Sequence, residues 1–509
     1  MAPQQSQADE PPRTDRPSRT DAGSQTVSPS PLSALTRTEK ASLLSGASTW
    51  RSRELPARSI RAIESADGPH GLRKQLGSGD HLGLNASVPA TCFPTASALA
   101  SSWDVELLGE VGAALGAEAA AHGVDVLLGP GLNITRDPRC GRAFEYFSED
   151  PHLAGTLAAA MVRGIQSRGV SACPKHFAVN SQETRRMASD SIVDERTLRE
   201  IYLTAFEIVV RDARPDVVMS SYNRVNGTYA HENEHLLTQI LREEWGFDGL
   251  VVSDWGGGND PVAAAQAGGT LEMPSPGMDS VRRLLAALDD GTLDEADLDA
   301  RAAEVIALAA RERPRDAGRV PDPAALLEDH HALARRAAAR SAVLLKNDPA
   351  ADSDPAASTA APSAAAGASP DCAGAGADAG DDPSAPLLPL ATGTRIAVIG
   401  DMARTPRYQG TGSSQVNASR VTDPATALAA FSLEVWPPPP WRSSLRRRGT
   451  GATAPRTRPC ASRPSPPLVR PTSRCSPSAS TRCASPRAWT GRTSPSPPSR
   501  SSCSPPSGL

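Results

Sequence analysis

The chain has 509 residues, which predicts more than one domain, and its 53 basic and 57 acidic residues give a formal net charge of −4. It contains no run of about 18 apolar residues, which argues against a membrane-spanning helix. The charge is uneven, because residues 437–509 contain 13 Arg and no Lys, Asp or Glu. We therefore expect an acidic globular protein joined to a basic tail.

Residues 1–32 are polar and rich in Pro and Ser, and they lack the apolar segment of a secretion signal. This composition predicts a disordered N-terminal extension and, by default, a cytoplasmic location. The eight cysteines contain no C-x-x-C pair, so neither a zinc site nor any other metal site is predicted.

Residues 33–315 alternate short apolar runs with amphipathic stretches. The apolar runs predict strands at 124–130, 170–179, 216–223 and 250–253. The amphipathic stretches predict helices at 152–169, 194–212 and 233–246, with Asp194 and Asn233 as N-caps and Gly246 as a stop. This alternation predicts an α/β fold with a parallel sheet, and its length favours a (β/α)₈ TIM-type barrel.

Polar residues follow several predicted strands, among them Lys175, His176 and Asp254. In a parallel barrel these strand ends meet at the mouth, where active sites form. A doubly wound sheet would also place a site there, but the glycine-rich segments at 129–133 and 255–260 lack the G-x-G-x-x-G spacing, so no cofactor is predicted. Taken alone, Asp254 is either a turn-capping residue or a reactive carboxylate.

The C-terminal third divides by composition. We predict a helical connection at 316–348, a low-complexity disordered insertion at 349–386, and the start of an incomplete α/β sandwich at 387–436. The Arg/Pro/Ser-rich residues 437–509 lack apolar periodicity, which predicts a disordered tail. One hypothesis is an arm that binds RNA or DNA. The absence of an RNA-binding motif favours instead a frameshifted segment beginning close to Trp436.

Five motifs, in this order, resemble family 3 glycoside hydrolases of the β-glucosidase type. They are SADGPHGLR (65–73), GRAFEYFSEDP (141–151), KHFAVNSQETRR (175–186), MSSYNRVNG (219–227) and GLVVSDWGG (249–257). Further segments, LLKND, LLPL, IAVIGD and YQGTGSSQVN, extend the resemblance to about residue 435. It implies a (β/α)₈ barrel followed by an α/β sandwich, and hydrolysis of terminal β-linked sugars with retention of configuration.

The resemblance implies that Asp254 is the nucleophile, which forms a covalent glycosyl intermediate. Seven residues match the family's sugar-binding positions: Asp67, Arg73, Arg142, Lys175, His176, Arg186 and Tyr222. We expect the cations among them to hold the pKa of Asp254 low. We also expect Gly256 and Gly257 to turn the backbone beneath the sugar.

Several of these residues have structural interpretations as well. His176 could be a satisfied core histidine, and Trp255 could pack in the core rather than against a sugar. The segment SEDP (148–151) could cap the helix that follows it.

The resemblance implies an acid/base glutamate beyond Ser414, because KHFAVNSQE lacks the histidine loop of the N-acetylglucosaminidase branch. Glu434 is the last glutamate of the chain and lies outside the matching motif, so no acid/base residue is assigned. The leading hypothesis is a β-glucosidase-type enzyme acting on a β-glycoside or oligosaccharide, with neither nucleic acid nor membrane as partner. The alternatives are a catalytically impaired sugar-binding barrel and a nucleic-acid-associated protein using the tail. The sugar and the oligomeric state stay open.

Overall fold

The computed structural model describes residues 31–77, 79, 85–311, 323–348, 386–390, 394–412, 414–430 and 434–436. All of them belong to the first of two units, which ends at Pro440. The predicted N-terminal extension, insertion and tail lie almost entirely outside these ranges, so their boundaries stay predictions. The first described element is a single 3₁₀ turn, Pro31–Ala34.

The strands are short. They are β1 Ser65–Asp67, β2 Pro89–Ala90, β3 Val126–Leu128, β4 Ser171–Ala172, β5 Lys175–Phe177, β6 Asp190–Ser191, β7 Val217–Ser220, β8 Arg224–Val225, β9 Thr228–Tyr229, β10 Leu250–Ser253, β11 Arg395–Ala397, β12 Asn417–Ala418 and β13 Glu434–Trp436.

The α-helices are longer and mostly follow the strands. They are α1 Arg37–Leu43, α2 Ala96–Ala100, α3 Val105–Ala121, α4 Pro151–Gln166, α5 Glu195–Thr197, α6 Thr204–Ala213, α7 Pro261–Ala267, α8 Asp279–Asp290, α9 Glu295–Ala309, α10 Pro323–Arg340 and α11 Pro424–Ala430. Two π-helical segments add to them, Leu198–Leu203 between α5 and α6, and His235–Glu244.

Two three-stranded parallel sheets organise the region that carries the predicted site, in the orders β1-β3-β4 and β10-β7-β5. Parallel bridges continue the pairing from Gly131 to Lys175 and from Val252 to Leu271. Parallel strands linked by helices confirm the predicted α/β class. Asp67 is the last residue of β1 and Asp254 directly follows β10, whereas Lys175 and His176 lie within β5 rather than after a strand as predicted.

The central strands bury side chains on both faces. Val218 and Val251 join an apolar cluster with α3, α4 and α6, whereas Val217 and Val252 join a second cluster with α1, α8 and α9. Strands covered on both faces are typical of parallel sheets, and they explain why the sequence shows continuous apolar runs rather than alternation. The rigid position of the strand ends follows from this two-sided packing.

The predicted helix boundaries agree with the structure to within a few residues, because caps fix them. The Asp150 carboxylate accepts from the backbone of His152 at 2.8 Å, so the capping interpretation of SEDP is confirmed. The Asp194 side chain likewise accepts from Thr197 at 3.0 Å. The π-helical geometry at Leu198–Leu203 was not predicted, because apolar periodicity cannot separate it from an α-helix over so few residues.

Glycines allow α3 and α4 to pack backbone against backbone. A Cβ added at Gly112 would lie 2.3 Å from the Met161 carbonyl oxygen, whereas one added at Gly109 would meet nothing nearer than the Ala160 oxygen at 3.9 Å. We expect Gly112→Ala to lower the free energy of unfolding by about 1–3 kcal/mol. Gly109→Ala is the control and should raise it by up to about 1 kcal/mol. Urea unfolding of both variants tests this, and equal effects would contradict the close packing.

The segments that follow α9 contact the residues that precede it through hydrogen bonds and strand pairing. On α10, His330 Nδ1 lies 2.7 Å from Glu118 Oε1 of α3. Strand β12 pairs with β2, and β11 pairs in parallel with β13. Within the segment predicted to begin the α/β sandwich, the strand β11 is limited to Arg395–Ala397. In the part of the chain that the structure describes, no helix has both the length and the apolar character required to cross a bilayer.

Candidate active site

Asp254 directly follows β10 and is only 8% exposed. Its backbone N–H donates to the Ser220 carbonyl at 3.2 Å, and its Oδ1 accepts from the Trp255 backbone at 2.8 Å. Gly256 has φ +86°, a conformation that favours glycine, and the Gly257 N–H donates back to the Asp254 carbonyl at 2.7 Å. The two glycines therefore form the tight turn that the sequence predicted, immediately after the carboxylate.

The second carboxylate oxygen of Asp254 has a different environment. Oδ2 is buried, and within the described residues it accepts no hydrogen bond. His176 Nε2 lies 3.4 Å from it and Arg142 Nη1 lies 3.9 Å from it. Asp254 thus has one oxygen fixed by the backbone and one oxygen available for a new bond.

His176 is held as a neutral imidazole. Burial, followed by Arg142 and Lys175, lowers its pKa well below the usual value. Arg142 Nη2 donates to His176 Nε2 at 2.7 Å, so the proton belongs on Nδ1, which faces the Tyr146 hydroxyl at 3.2 Å. His176 and Asp254 are therefore neighbours without forming an ion pair.

Three cations surround the carboxylate, and each is matched with another acidic residue. Lys175 Nζ lies 2.9 Å from Asp67 Oδ1, and both side chains are buried. The other two pairs are Arg142 Nε to Glu145 Oε1 at 2.5 Å and Arg186 Nη1 to Glu183 Oε2 at 2.9 Å. We refer to these as the three ion pairs.

Burial of the Asp254 carboxylate explains why one expectation was wrong. The cations were expected to hold the pKa of Asp254 low, but burial raises its pKa above the ordinary value of 3.8. Arg142, Lys175 and the Trp255 N–H oppose this rise without cancelling it. Arg142 is 2.5 Å from Glu145 and 3.9 Å from Asp254, so most of its charge is already compensated.

Tyr222 lies beside Asp254. Its hydroxyl donates to the Trp255 carbonyl at 3.0 Å, and the Arg186 guanidinium stacks 4.5 Å from its ring centre. Burial, and next the charge of Asp254, raise the pKa of Tyr222, so it is a neutral donor.

Arg73 and Trp255 have structural contacts in addition to any role with a sugar. Arg73 Nη1 donates to the Gly412 carbonyl at 2.8 Å, and its backbone N–H donates to Asp67 at 2.8 Å. Arg73 thus connects the end of β1 to the segment after the insertion. Trp255 is 8% exposed, donates to the Thr49 carbonyl at 2.6 Å, and packs 5.2 Å from the Trp50 ring, as its core interpretation predicted.

Sequence analysis missed four residues that hold the site in place: Asn133, Glu145, Tyr146 and Glu183. Asn133 Nδ2 donates to the His176 carbonyl at 2.9 Å, and its Oδ1 accepts from the His176 N–H at 2.8 Å. A signal existed for the two glutamates, because Arg142–Glu145 and Glu183–Arg186 are spaced three residues apart. No such signal exists for Asn133, which lies 43 residues from its partner.

The segment after the insertion borders this site. A Cβ at Gly410 would lie 2.3 Å from the Phe144 ring, and the Gln409 side chain fixes the turn by hydrogen bonds to the Val416 backbone at 3.0 and 2.8 Å. Within the described ranges, no group of three or more His, Cys, Asp or Glu is placed to hold a metal ion.

Comparison with known proteins agrees with this geometry. Residues 48–308 match the glycosyl hydrolase family 3 N terminal domain. Thermostable β-glucosidase B of Acetivibrio thermocellus is 46% identical over 392 residues, which cover 76% of this chain and 46% of that protein. An exo-α-(1→6)-L-arabinopyranosidase of Bifidobacterium longum is 42% identical over 404 residues, covering 79% of this chain and 49% of that protein.

A solved structure supports the same relationship. The complex of β-glucosidase 3B from Thermotoga neapolitana with glucose has a TM-score of 0.67 and 36% identity, covering 80% of this chain and 54% of that one. The chain spans about half the length of the curated relatives it matches, 46% and 49%. Since the family match extends over just over half of the 509 residues, the chain belongs to glycosyl hydrolase family 3.

Proposed function

We propose that this chain carries the catalytic centre of a retaining glycosidase that cleaves terminal β-linked sugars through a covalent glycosyl–Asp254 intermediate. The observation that carries the proposal is the asymmetry of the Asp254 carboxylate, with Oδ1 fixed by the Trp255 N–H and Oδ2 buried without a hydrogen bond. We further propose that the parallel strands close into the (β/α)₈ barrel implied by the family. The two-sided burial of β7 and β10 supports this arrangement.

In this mechanism, Oδ2 of Asp254 attacks the anomeric carbon as the bond from that carbon to the aglycone oxygen breaks, while the backbone holds Oδ1. The aglycone leaves with the bonding electron pair, and water later displaces Asp254 from the sugar. Burial destabilises the free carboxylate, as its raised pKa indicates. Forming a neutral glycosyl ester removes that buried charge, so the site favours bond formation. The neutral His176 and the charged Arg142 then border the position of the sugar, where both act as hydrogen-bonding groups.

The remaining predicted residues have the chemistry to bind sugar hydroxyls. The buried Lys175–Asp67 pair offers a donor and an acceptor side by side, as a hydroxyl requires. The Arg186 guanidinium stacks on the Tyr222 ring, and both side chains add further donors. Glucose is our first candidate for the sugar, because the relatives include β-glucosidases, and arabinopyranose is the second.

We propose that the acid/base residue of a retaining mechanism is missing among the residues of this chain. Among the described residues, the other acidic groups of the site are Asp67, Glu145 and Glu183, and each already faces a cation at 2.9 Å or less. Each of these three carboxylates is therefore already engaged in a charge-assisted contact with a cation. Residues 437–509 contain no Asp or Glu. This observation also supports the second candidate function, a catalytically impaired sugar-binding barrel.

A mechanism-based label tests the proposed function. We expect 2,4-dinitrophenyl 2-deoxy-2-fluoro-β-D-glucoside to add one fluoroglucosyl group, seen by intact mass, and peptide mapping to place it on Asp254. The activated leaving group requires no proton, so this test does not depend on an acid/base residue. A label on another carboxylate, such as Asp260, would overturn the assignment. Glucose binding by calorimetry without any labelling would favour the sugar-binding barrel.

A further inference from the structure

Glu145 is a buried carboxylate that the mechanism above does not use. It is 3% exposed, and its Oε1 accepts from Arg142 Nε at 2.5 Å. Its other oxygen, Oε2, makes no hydrogen bond within the described part of the chain. Burying a carboxylate destabilises the folded protein unless the carboxylate compensates another charge. The charge next to Glu145 is that of Arg142.

We propose that Glu145 is a positioning residue that orients the Arg142 guanidinium and limits its positive field at Asp254, an inference that rests on the proposed function. The guanidinium is planar, so fixing Nε also fixes the directions of both terminal nitrogens. With Nε bound to Glu145, Nη2 reaches His176 at 2.7 Å and Nη1 faces Asp254 at 3.9 Å. One contact thereby places two functional nitrogens.

The electrostatic part of the proposal follows from the surrounding charges. Among the described residues, the charged and titratable groups that face Asp254 are Arg142, Lys175, Arg186, His176, Tyr222 and the buried thiol of Cys173. Those that face Glu145 are Arg142, Tyr146, His70 and Lys175. Arg142 is the cation with the largest effect on Asp254 and also the partner of Glu145. Removing the Glu145 charge would leave Arg142 uncompensated, which favours ionised Asp254 and lowers its pKa.

Two substitutions of Glu145 distinguish its role in orienting Arg142 from the effect of its negative charge. Glu145→Gln retains the length of the side chain and an acceptor oxygen but removes the charge. Glu145→Asp retains the charge but shortens the side chain, so Arg142 loses its alignment. Glu149→Gln is the matched control, because it makes the same change in the same motif at an exposed position.

The first measurement follows the ¹³C resonance of the Asp254 carboxyl against pH in the full chain, assigned by its loss in Asp254→Asn. We expect the midpoint to move to lower pH in Glu145→Gln, to move by clearly less in Glu145→Asp, and to stay unchanged in Glu149→Gln. This titration requires no turnover, so it tests the inference even if Asp254 is never labelled. An unchanged midpoint in Glu145→Gln, or an equal shift in Glu145→Asp, would overturn the inference.

The second measurement is the rate of fluoroglucosyl labelling against pH. The acid limb of the labelling rate should move to lower pH in Glu145→Gln. The plateau rate of Glu145→Gln should be closer to the wild-type rate than the plateau rate of Glu145→Asp is. In Glu145→Asp the plateau rate should fall about a hundredfold, as expected when a substrate-facing group is displaced by about 1 Å. A purely structural role would lower thermal stability in both variants and leave both acid limbs in place, which would contradict the proposal.

Discussion

Asp254→Ala is expected to reduce cleavage of a dinitrophenyl glycoside by roughly 10⁴-fold or more, the scale on which loss of a catalytic group acts. The reason is that Oδ2 of Asp254 is the carboxylate oxygen placed to attack, next to Arg142 and His176. The loss should not result from unfolding. Burial raises the pKa of Asp254, so the folded state disfavours its charge relative to the unfolded state. The cost of burying the ionised Asp254 carboxylate is present above the pKa of the folded state and is lost as the pH falls through that pKa. Removing the carboxylate at neutral pH removes this cost, so it should not lower the melting temperature.

The control for this variant is Asp260→Asn, six residues further along the same loop. The Asp260 side chain is 44% exposed and caps α7 by accepting from Val262 at 3.0 Å, a contact that asparagine can retain. We expect activity close to that of the wild type. Asp254→Asn, which retains the acceptor for Trp255, should be as inactive as the alanine variant. Activity in either Asp254 variant, without deamidation detected by mass, would contradict the nucleophile assignment.

The second large effect concerns the leaving group. General acid–base catalysis typically increases a reaction rate by about 10²–10⁴-fold. We therefore expect this chain to hydrolyse cellobiose at least about 10²–10⁴-fold more slowly than a retaining enzyme that has its acid/base residue. A dinitrophenyl glycoside needs little protonation and should still glycosylate Asp254. The glycosyl–enzyme should then accumulate, because under the proposed function the chain supplies no base to activate water. Azide requires no deprotonation, so it should restore turnover and give a glycosyl azide of retained configuration.

The measurement is dinitrophenolate release with and without azide, together with intact mass of the protein. Sodium chloride at equal ionic strength is the control, because screening alone changes the contacts of exposed charges. Efficient cellobiose hydrolysis without azide would show that the chain does supply an acid/base residue.

Local features of this fold could be predicted from sequence, because they depend on neighbouring residues. The caps at Asp150 and Asp194 and the glycine turn after Asp254 each involve residues no more than three positions apart. Asp254 itself was identified through the ordered motifs rather than through any local property. Parallel strands were identified as apolar runs, although the paired segments proved shorter than those runs.

The electrostatics of the site could not be predicted in the same way. The Lys175–Asp67 pair joins residues 108 positions apart, and only the fold brings them within 2.9 Å. Counting cations in the motifs suggested a low pKa for Asp254. The sign of the shift depends on how deeply the fold buries this carboxylate, and burial outweighs the nearby cations.

The contact between Arg73 and Gly412 sets a timing constraint on biosynthesis. The two residues are 339 positions apart, and the pairing of β12 with β2 bridges a similar separation. At a synthesis rate of about 5–20 residues per second, roughly 17–70 s pass between the appearance of Arg73 and that of its partner. During this interval the end of β1, beside Asp67, lacks the segment that later covers it. The region around Asp67 is therefore completed late in synthesis, long after Asp254 has been added to the nascent polypeptide.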